Sequence, residues 1–252
     1  MQLKDWFFTD AFVNFYSVAC LELGATIRFL PAHPPLCPPC RRGCLNAGQD
    51  IPVFLDPRWT SRQAQQYATR AIFHHLIALE GFPAVRPRNK EDLARKLCYR
   101  FNWRVLGLVV NQKMDQFFPA EQPDLLLTDL FVNTVKYMNV CHERVHDHLE
   151  LSLPVLDIFY QYFSLRPRQQ RQLAGTVKHK WTQVHRLLGH MVDLSENFSV
   201  MQPPECAKML KGMMSLLGAG DAVEVYYRDE DVPAGCYVKD RPADRQVCRP
   251  VP

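Results

Sequence analysis

Apolar residues recur along this chain at helical spacing and are cut into segments by proline and glycine. One apolar stripe is Leu127, Leu130, Thr134, Met138, Cys141, Val145 and Leu149, in steps of three and four. A second is Leu173, Val177, Trp181, Val184, Leu188 and Met191. Such spacing predicts amphipathic helices that each bury one face.

The pattern predicts about seven helices. The first covers Lys4–Leu23 and stops at Gly24. A short extended stretch, Thr26–Leu30, follows, and then a Pro/Cys-rich loop, Pro31–Pro57. The second helix starts with Thr60 or Ser61 as N-cap, stops before Gly81, and sets Ala68, Ile72, His75 and Leu79 on one face. The third is capped by Asn89 and runs to about Phe117. The fourth spans Pro123 to about Leu151, ahead of Pro154, and the fifth is Val155–Leu165. The sixth runs from Pro167 to about Leu194; the seventh follows Pro203-Pro204 and ends at Gly218. Ala222–Tyr227 alternates as a strand does. The expected architecture is all-α, a single multi-helix bundle over 1–227, with 228–252 as a flexible tail.

Composition narrows the class. Of 252 residues, 47% are apolar and 22% charged, which excludes a collagenous or wholly disordered chain. The uninterrupted apolar runs fall far below the ~18 residues of a membrane span, so no membrane partner is expected. The stretch Trp6–Cys20 is interrupted by Asp10 and preceded by Asp5, so it does not read as a secretory signal. Nine cysteines, an odd number, then read as thiols or metal ligands. Asn197-Phe198-Ser199 is a glycosylation sequon only in form. The aromatics Trp6, Phe7, Phe8, Phe12, Phe15 and Tyr16 read as core, with part available to a partner groove or a dimer face.

The net charge of +4 conceals segregation. Residues 158–192 contain no acidic side chain but hold Arg166, Arg168, Arg171, Lys178, Lys180 and Arg186, with His179, His185 and His190. Residues 58–104 are also basic, and 115–157 are acidic. Such patches either steer a charged partner or neutralise each other within the fold. Arg166, Arg168, Arg171, Lys178, Lys180 and Arg186 are the candidate partner-binding residues.

Two motifs carry metal chemistry. Cys37-Pro38-Pro39-Cys40, with Cys44 four residues on, offers thiolates for a structural Zn²⁺ and needs a fourth ligand such as His33. The same pair reads alternatively as a dithiol redox centre or as unliganded thiols. His142-Glu143-Arg144-Val145-His146 is a complete His-Glu-x-x-His on a predicted helix; His142 and His146 share a face, and Glu143 stands where a general base would. Arg144 and Asp147 are charged where zinc peptidases are normally apolar, and Ser152 stands where an extended motif would have its third histidine. His142 or His146 can instead complete the Cys37/Cys40 site. There is no glycine-rich phosphate loop, no Gly-x-Ser-x-Gly and no Rossmann fingerprint.

The stretches Leu21-Glu22-Leu23-Gly24-Ala25-Thr26-Ile27-Arg28-Phe29-Leu30-Pro31 and Leu125-Leu126-Leu127-Thr128-Asp129-Leu130-Phe131-Val132-Asn133-Thr134-Val135-Lys136-Tyr137, with the chain's size, scattered cysteines and helical make-up, resemble the beta/gamma-herpesvirus late-gene regulator family. The resemblance covers about residues 5–227. It implies a non-enzymatic accessory subunit of a viral pre-initiation complex on late promoters. The expected partners are other viral transcription-complex subunits and host RNA polymerase II, in the host nucleus and cytoplasm. No catalytic residue is carried over from it. Direct DNA contact through 158–192 is open, because neither a helix-turn-helix nor an aromatic-interleaved groove is present. The rival readings are a zinc-dependent hydrolase using His142, Glu143 and His146, a tegument-type virion component, and a dithiol oxidoreductase.

Overall fold

The computed structural model describes residues 2–3, 6–31, 50–117, 132, 148–165 and 167–227. Helix predominates, and the class is all-α with a few short strands. Within the 1–227 body the described residues gather into two compact units. The first holds those up to Ala84, together with 110–117 and Tyr227; the second holds Val85–Val109 and those from 132 to Tyr226.

In the first unit, β1 (Gln2–Leu3) pairs antiparallel with β2 (Trp6–Phe7), and helix α1 (Asp10–Leu23) follows. The sequence placed the start of this helix at Lys4. Thr9 moves it, because its side chain accepts the Phe12 N–H and caps the first turn. The Trp6 indole N–H donates to the Trp59 carbonyl at 2.9 Å, which holds β2 extended. Gly24 ends α1 in the left-handed conformation, φ 60°. Of the aromatics expected in the core, Trp6, Phe8 and Phe12 are buried, Phe15 and Tyr16 are half-buried, and Phe7 is exposed; Phe8 stacks on Phe12 with ring centroids 4.8 Å apart, and Phe15 on Phe73 at 4.8 Å.

Strand β3 (Ile27–Pro31) pairs parallel with β4 (Ile51–Leu55), Ile27 opposite Ile51. Residues 51–55 had been read as part of the Pro/Cys-rich loop. Their alternation is plain in the structure: Ile51, Val53 and Leu55 are buried, and Pro52 and Phe54 are less so. Helix α2 (Ser61–Leu79) begins where the sequence placed it. Thr60 Oγ1 accepts the Gln63 N–H, and Gln63 Oε1 accepts the Thr60 N–H at 2.9 Å, a reciprocal capping box. Thr60→Ala is expected to lower stability by about 1 kcal/mol, measured as a drop in the thermal midpoint; no drop would mean that the cap is redundant.

Strand β5 (Ala84–Pro87), of which Val85–Pro87 open the second unit, is followed there by α3 (Asp92–Arg100). Asn89 Oδ1 accepts the Glu91 N–H, so it turns the chain just ahead of the helix. After Arg100 the helix widens over Phe101–Val105, where the Leu106 N–H reaches back five residues to the Phe101 carbonyl, and it narrows again into α4 (Leu106–Phe117). Residues 106–109 belong to the second unit and 110–117 to the first.

Helix α5 (His148–Ser164) carries Pro154 in its interior. The sequence put a boundary there. Burial overrides the lost hydrogen bond: Ser152, Leu153, Val155, Leu156, Ile158 and Phe159 are all buried, and the Ser152 hydroxyl donates to the Leu217 carbonyl. The predicted sixth helix is two, α6 (Pro167–Lys180) and α7 (Thr182–Glu196), divided at Trp181. Helix α8 (Pro203–Leu216) ends before Gly218, φ 65°, and β6 (Val223–Tyr226) forms a two-stranded sheet with β5. Among the described residues no helix is long and apolar enough to cross a membrane. Most of the predicted fourth helix and the tail 228–252 lie outside the described residues.

Candidate partner interface

The basic span 158–192 falls mainly on α6 and α7. Pro167 starts α6 at its first position, where no intrahelical N–H bond is lost. Leu173, Val177, Trp181, Val184, Leu188 and Met191 are all buried, as their spacing predicted. Each contributes about 1.5–3 kcal/mol through burial, which fixes the rotation of both helices. At Trp181 the backbone leaves the helical region, φ −145° and ψ 73°. The bonds Trp181 N–H to Val177 C=O, 2.8 Å, and His185 N–H to Trp181 C=O, 2.9 Å, hold on either side of the bend.

With that stripe buried, the cations are on the outside. Arg168, Arg171 and Lys178 follow one exposed line on α6, at steps of three and seven; Lys180 and Arg186 are exposed as well. The Lys180 ammonium lies 6.0 Å from the Trp181 ring centroid. His179 and His190 are exposed, and His185 is half-buried. Among the described residues no carboxylate comes within ion-pair distance of these five cations.

The other basic span behaves differently. Arg58 pairs with Asp56, Lys96 with Asp92, Arg86 and Arg88 with Glu224, and Arg100 and Arg104 with Asp157. Six of the ten cations in 58–104 are therefore paired with carboxylates, Arg86, Arg100 and Arg104 in largely buried pairs, with Asp157 coming from the acidic span. The 158–192 span keeps its charge facing solvent, where it sets the local potential.

Arg166 lies outside the described residues, as do the metal candidates Cys37, Cys40, Cys44, His142 and His146. Among the described residues no three His, Cys, Asp or Glu side chains are grouped to hold a metal. The described thiols Cys98 and Cys206 are buried; the Cys98 thiol donates to the Val85 carbonyl, and burial pushes Cys206 up to about 12, far from a reactive thiolate. Counting charge alone missed the neutral donors on the same surface, Gln172, Thr182 and Gln183, all exposed. Their absence from the buried stripe is the signal that would have found them. No protein-family model matches the chain, and neither a curated protein nor a solved structure does.

Proposed function

We propose that this chain is a non-enzymatic viral adaptor of a late-gene transcription pre-initiation complex, acting in the host nucleus through protein–protein contacts. The observation that carries the proposal is the exposed basic surface of α6 and α7, which meets no carboxylate at ion-pair distance among the described residues and is set on a buried apolar stripe. The resemblance of Leu21–Pro31 to the late-gene regulator family supports it. Exposed cations that meet no carboxylate among the described residues favour an acidic surface on another subunit and accelerate its docking. The partners are other viral subunits of the complex and, through the assembled complex, host RNA polymerase II. Protein contact is favoured over DNA because the sequence shows neither a helix-turn-helix nor an aromatic-interleaved single-strand groove.

The double variant Arg168→Glu/Arg171→Glu tests the reading. Both side chains are exposed, so the fold is expected to keep its thermal midpoint. Co-precipitation of the other viral subunits is expected to weaken about tenfold, and the wild-type interaction to weaken with added salt. Unchanged co-precipitation would contradict the assignment of this surface.

A further inference from the structure

Helix α6 carries a glycine in its interior, Gly175, and nothing among the described residues calls for one there. Glycine is the poorest helix former after proline, so inside a helix it is expected to serve either backbone freedom or close packing. Gly175 serves neither. Among the described residues the glycines at positive φ are Gly24, Gly81 and Gly218, so Gly175 keeps ordinary helical backbone. A Cβ added to it meets nothing within 4 Å. Gly212 in α8 is the contrast: a Cβ there would come to 2.9 Å from Leu194 Cδ2, so close packing against α7 accounts for it.

The charge around Gly175 has one sign. At about 100° per residue it falls on the side of α6 directly away from the buried Leu173 and Val177, with Arg168, Arg171, Lys178 and His179 all within roughly 60° of it. Arg171 and Lys178 stand about one turn before and one turn after it. Helix α6 has no carboxylate of its own. On the helices packed against it, Asp157 of α5 is held by Arg100 and Arg104. Glu150 of α5, and Asp193 and Glu196 of α7, come within ion-pair distance of none of the α6 cations. Gly189 on α7 is open in the same way, but Asp193 shares its face with Arg186, so α7 presents both signs. The outer face of α6 is a bare strip of backbone set between cations.

We infer that Gly175 is the crossing point for an acidic helix of the partner protein, whose carboxylates meet Arg171 on one side of the crossing and Lys178 on the other. This rests on the reading of α6 and α7 as the partner surface, and it names the element that docks there. Charge complementarity selects an acidic occupant. A helix fits the pattern, because carboxylates three or four residues on either side of a small residue share one face and are spaced as Arg171 and Lys178 are. The missing side chain lets the two axes approach towards the short end of the ordinary range of about 8–10 Å. Gly175 then determines specificity by shape, and the cations by charge.

The test uses the full chain and a blocked, alanine-rich helical peptide with glutamates three and four residues on either side of a central alanine, followed by calorimetry and amide chemical shifts. Saturable binding is expected, with the largest shifts over residues 171–178. Gly175→Leu and Gly175→Gln, alike in bulk and different in polarity, are each expected to weaken it at least tenfold. Their thermal midpoints are expected at or above that of wild type, since each is a better helix former in open space. Gly175→Ala is expected to bind within threefold of wild type, and so is Gly189→Leu, the same bulk placed on α7. Binding lost in Arg168→Glu/Arg171→Glu but kept in both bulky Gly175 variants leaves the basic surface standing and overturns the crossing at Gly175. Binding that ignores all of these changes overturns both readings. Absence of saturable binding, an equal loss in Gly189→Leu, or equal binding of an isomer with its glutamates dispersed around the helix also overturns the inference.

Discussion

Asp157→Ala is expected to destabilise the second unit by about 3 kcal/mol. Asp157 Oδ2 accepts the Arg100 Nε–H at 3.0 Å and Oδ1 the Arg104 Nε–H at 2.8 Å. The side chains are 11% exposed for Asp157, 20% for Arg100 and 17% for Arg104, so water replaces little of the lost carboxylate. Arg104 also lies over the Tyr160 ring, 5.4 Å from its centroid, which fixes the guanidinium further. Alanine would leave two largely desolvated cations facing each other, a cost well above the net value of the intact cluster. Replacing all three together, Arg100→Leu/Arg104→Met/Asp157→Leu, is expected to recover most of the loss. Denaturant midpoints at constant slope measure both. A loss below about 1 kcal/mol for Asp157→Ala would place the cluster among ordinary surface ion pairs.

Acid is expected to destabilise the first unit well before its carboxylates titrate. His74 and His75 sit in α2, with His74 Nε2 and His75 Nδ1 shut off from solvent. Burial pushes His75 down from 6.5 to about 4. Burial, and then the positive charge of Arg70 and the neighbouring His75, push His74 well below its ordinary value. In the unfolded chain both imidazoles take up protons near pH 6.5, while in the fold they stay neutral to lower pH. The unfolded state therefore binds more protons through this window, and stability falls as pH drops from 6.5 towards 4. For His75 alone the loss is roughly 3 kcal/mol by the end of the window. Asp56 does not blur the result: its hydrogen bonds from Arg58 hold it near 2, so its contribution is lost only below its ordinary value of 3.8. Unfolding at a series of pH values, with wild type and His74→Leu/His75→Leu, checks this. A flatter curve for the variant between pH 6.5 and 4 is expected; superimposable slopes would contradict it.

The sequence was legible where a local stereochemical signal coincided with the helical period. Thr60, Pro203 with Pro204, and Gly24 and Gly218 each marked an end that the structure keeps. It was illegible where packing decides. The stripe through Trp181 continues at steps of four and three, so periodicity cannot see a single residue leaving the helical region between two intact hydrogen bonds. Pro154 gave a strong stop signal, yet the helix around it is buried on several sides and runs through. Strand β4 was hidden by the composition of the segment before it, although Ile51, Val53 and Leu55 alternate.

The same division holds for the candidate sites. The basic span 158–192 was visible as a run without acids; that its cations meet no carboxylate among the described residues while those of 58–104 do is a property of the fold.

The adaptor reading is tested most directly by late transcription itself. A virus whose copy of this chain carries Arg168→Glu/Arg171→Glu would be compared with wild type, measuring late transcripts and viral DNA in the same infected cells. The account predicts that late transcripts fall at least tenfold while viral DNA accumulates normally and the variant protein is present at wild-type level. Late transcripts at wild-type level would contradict it.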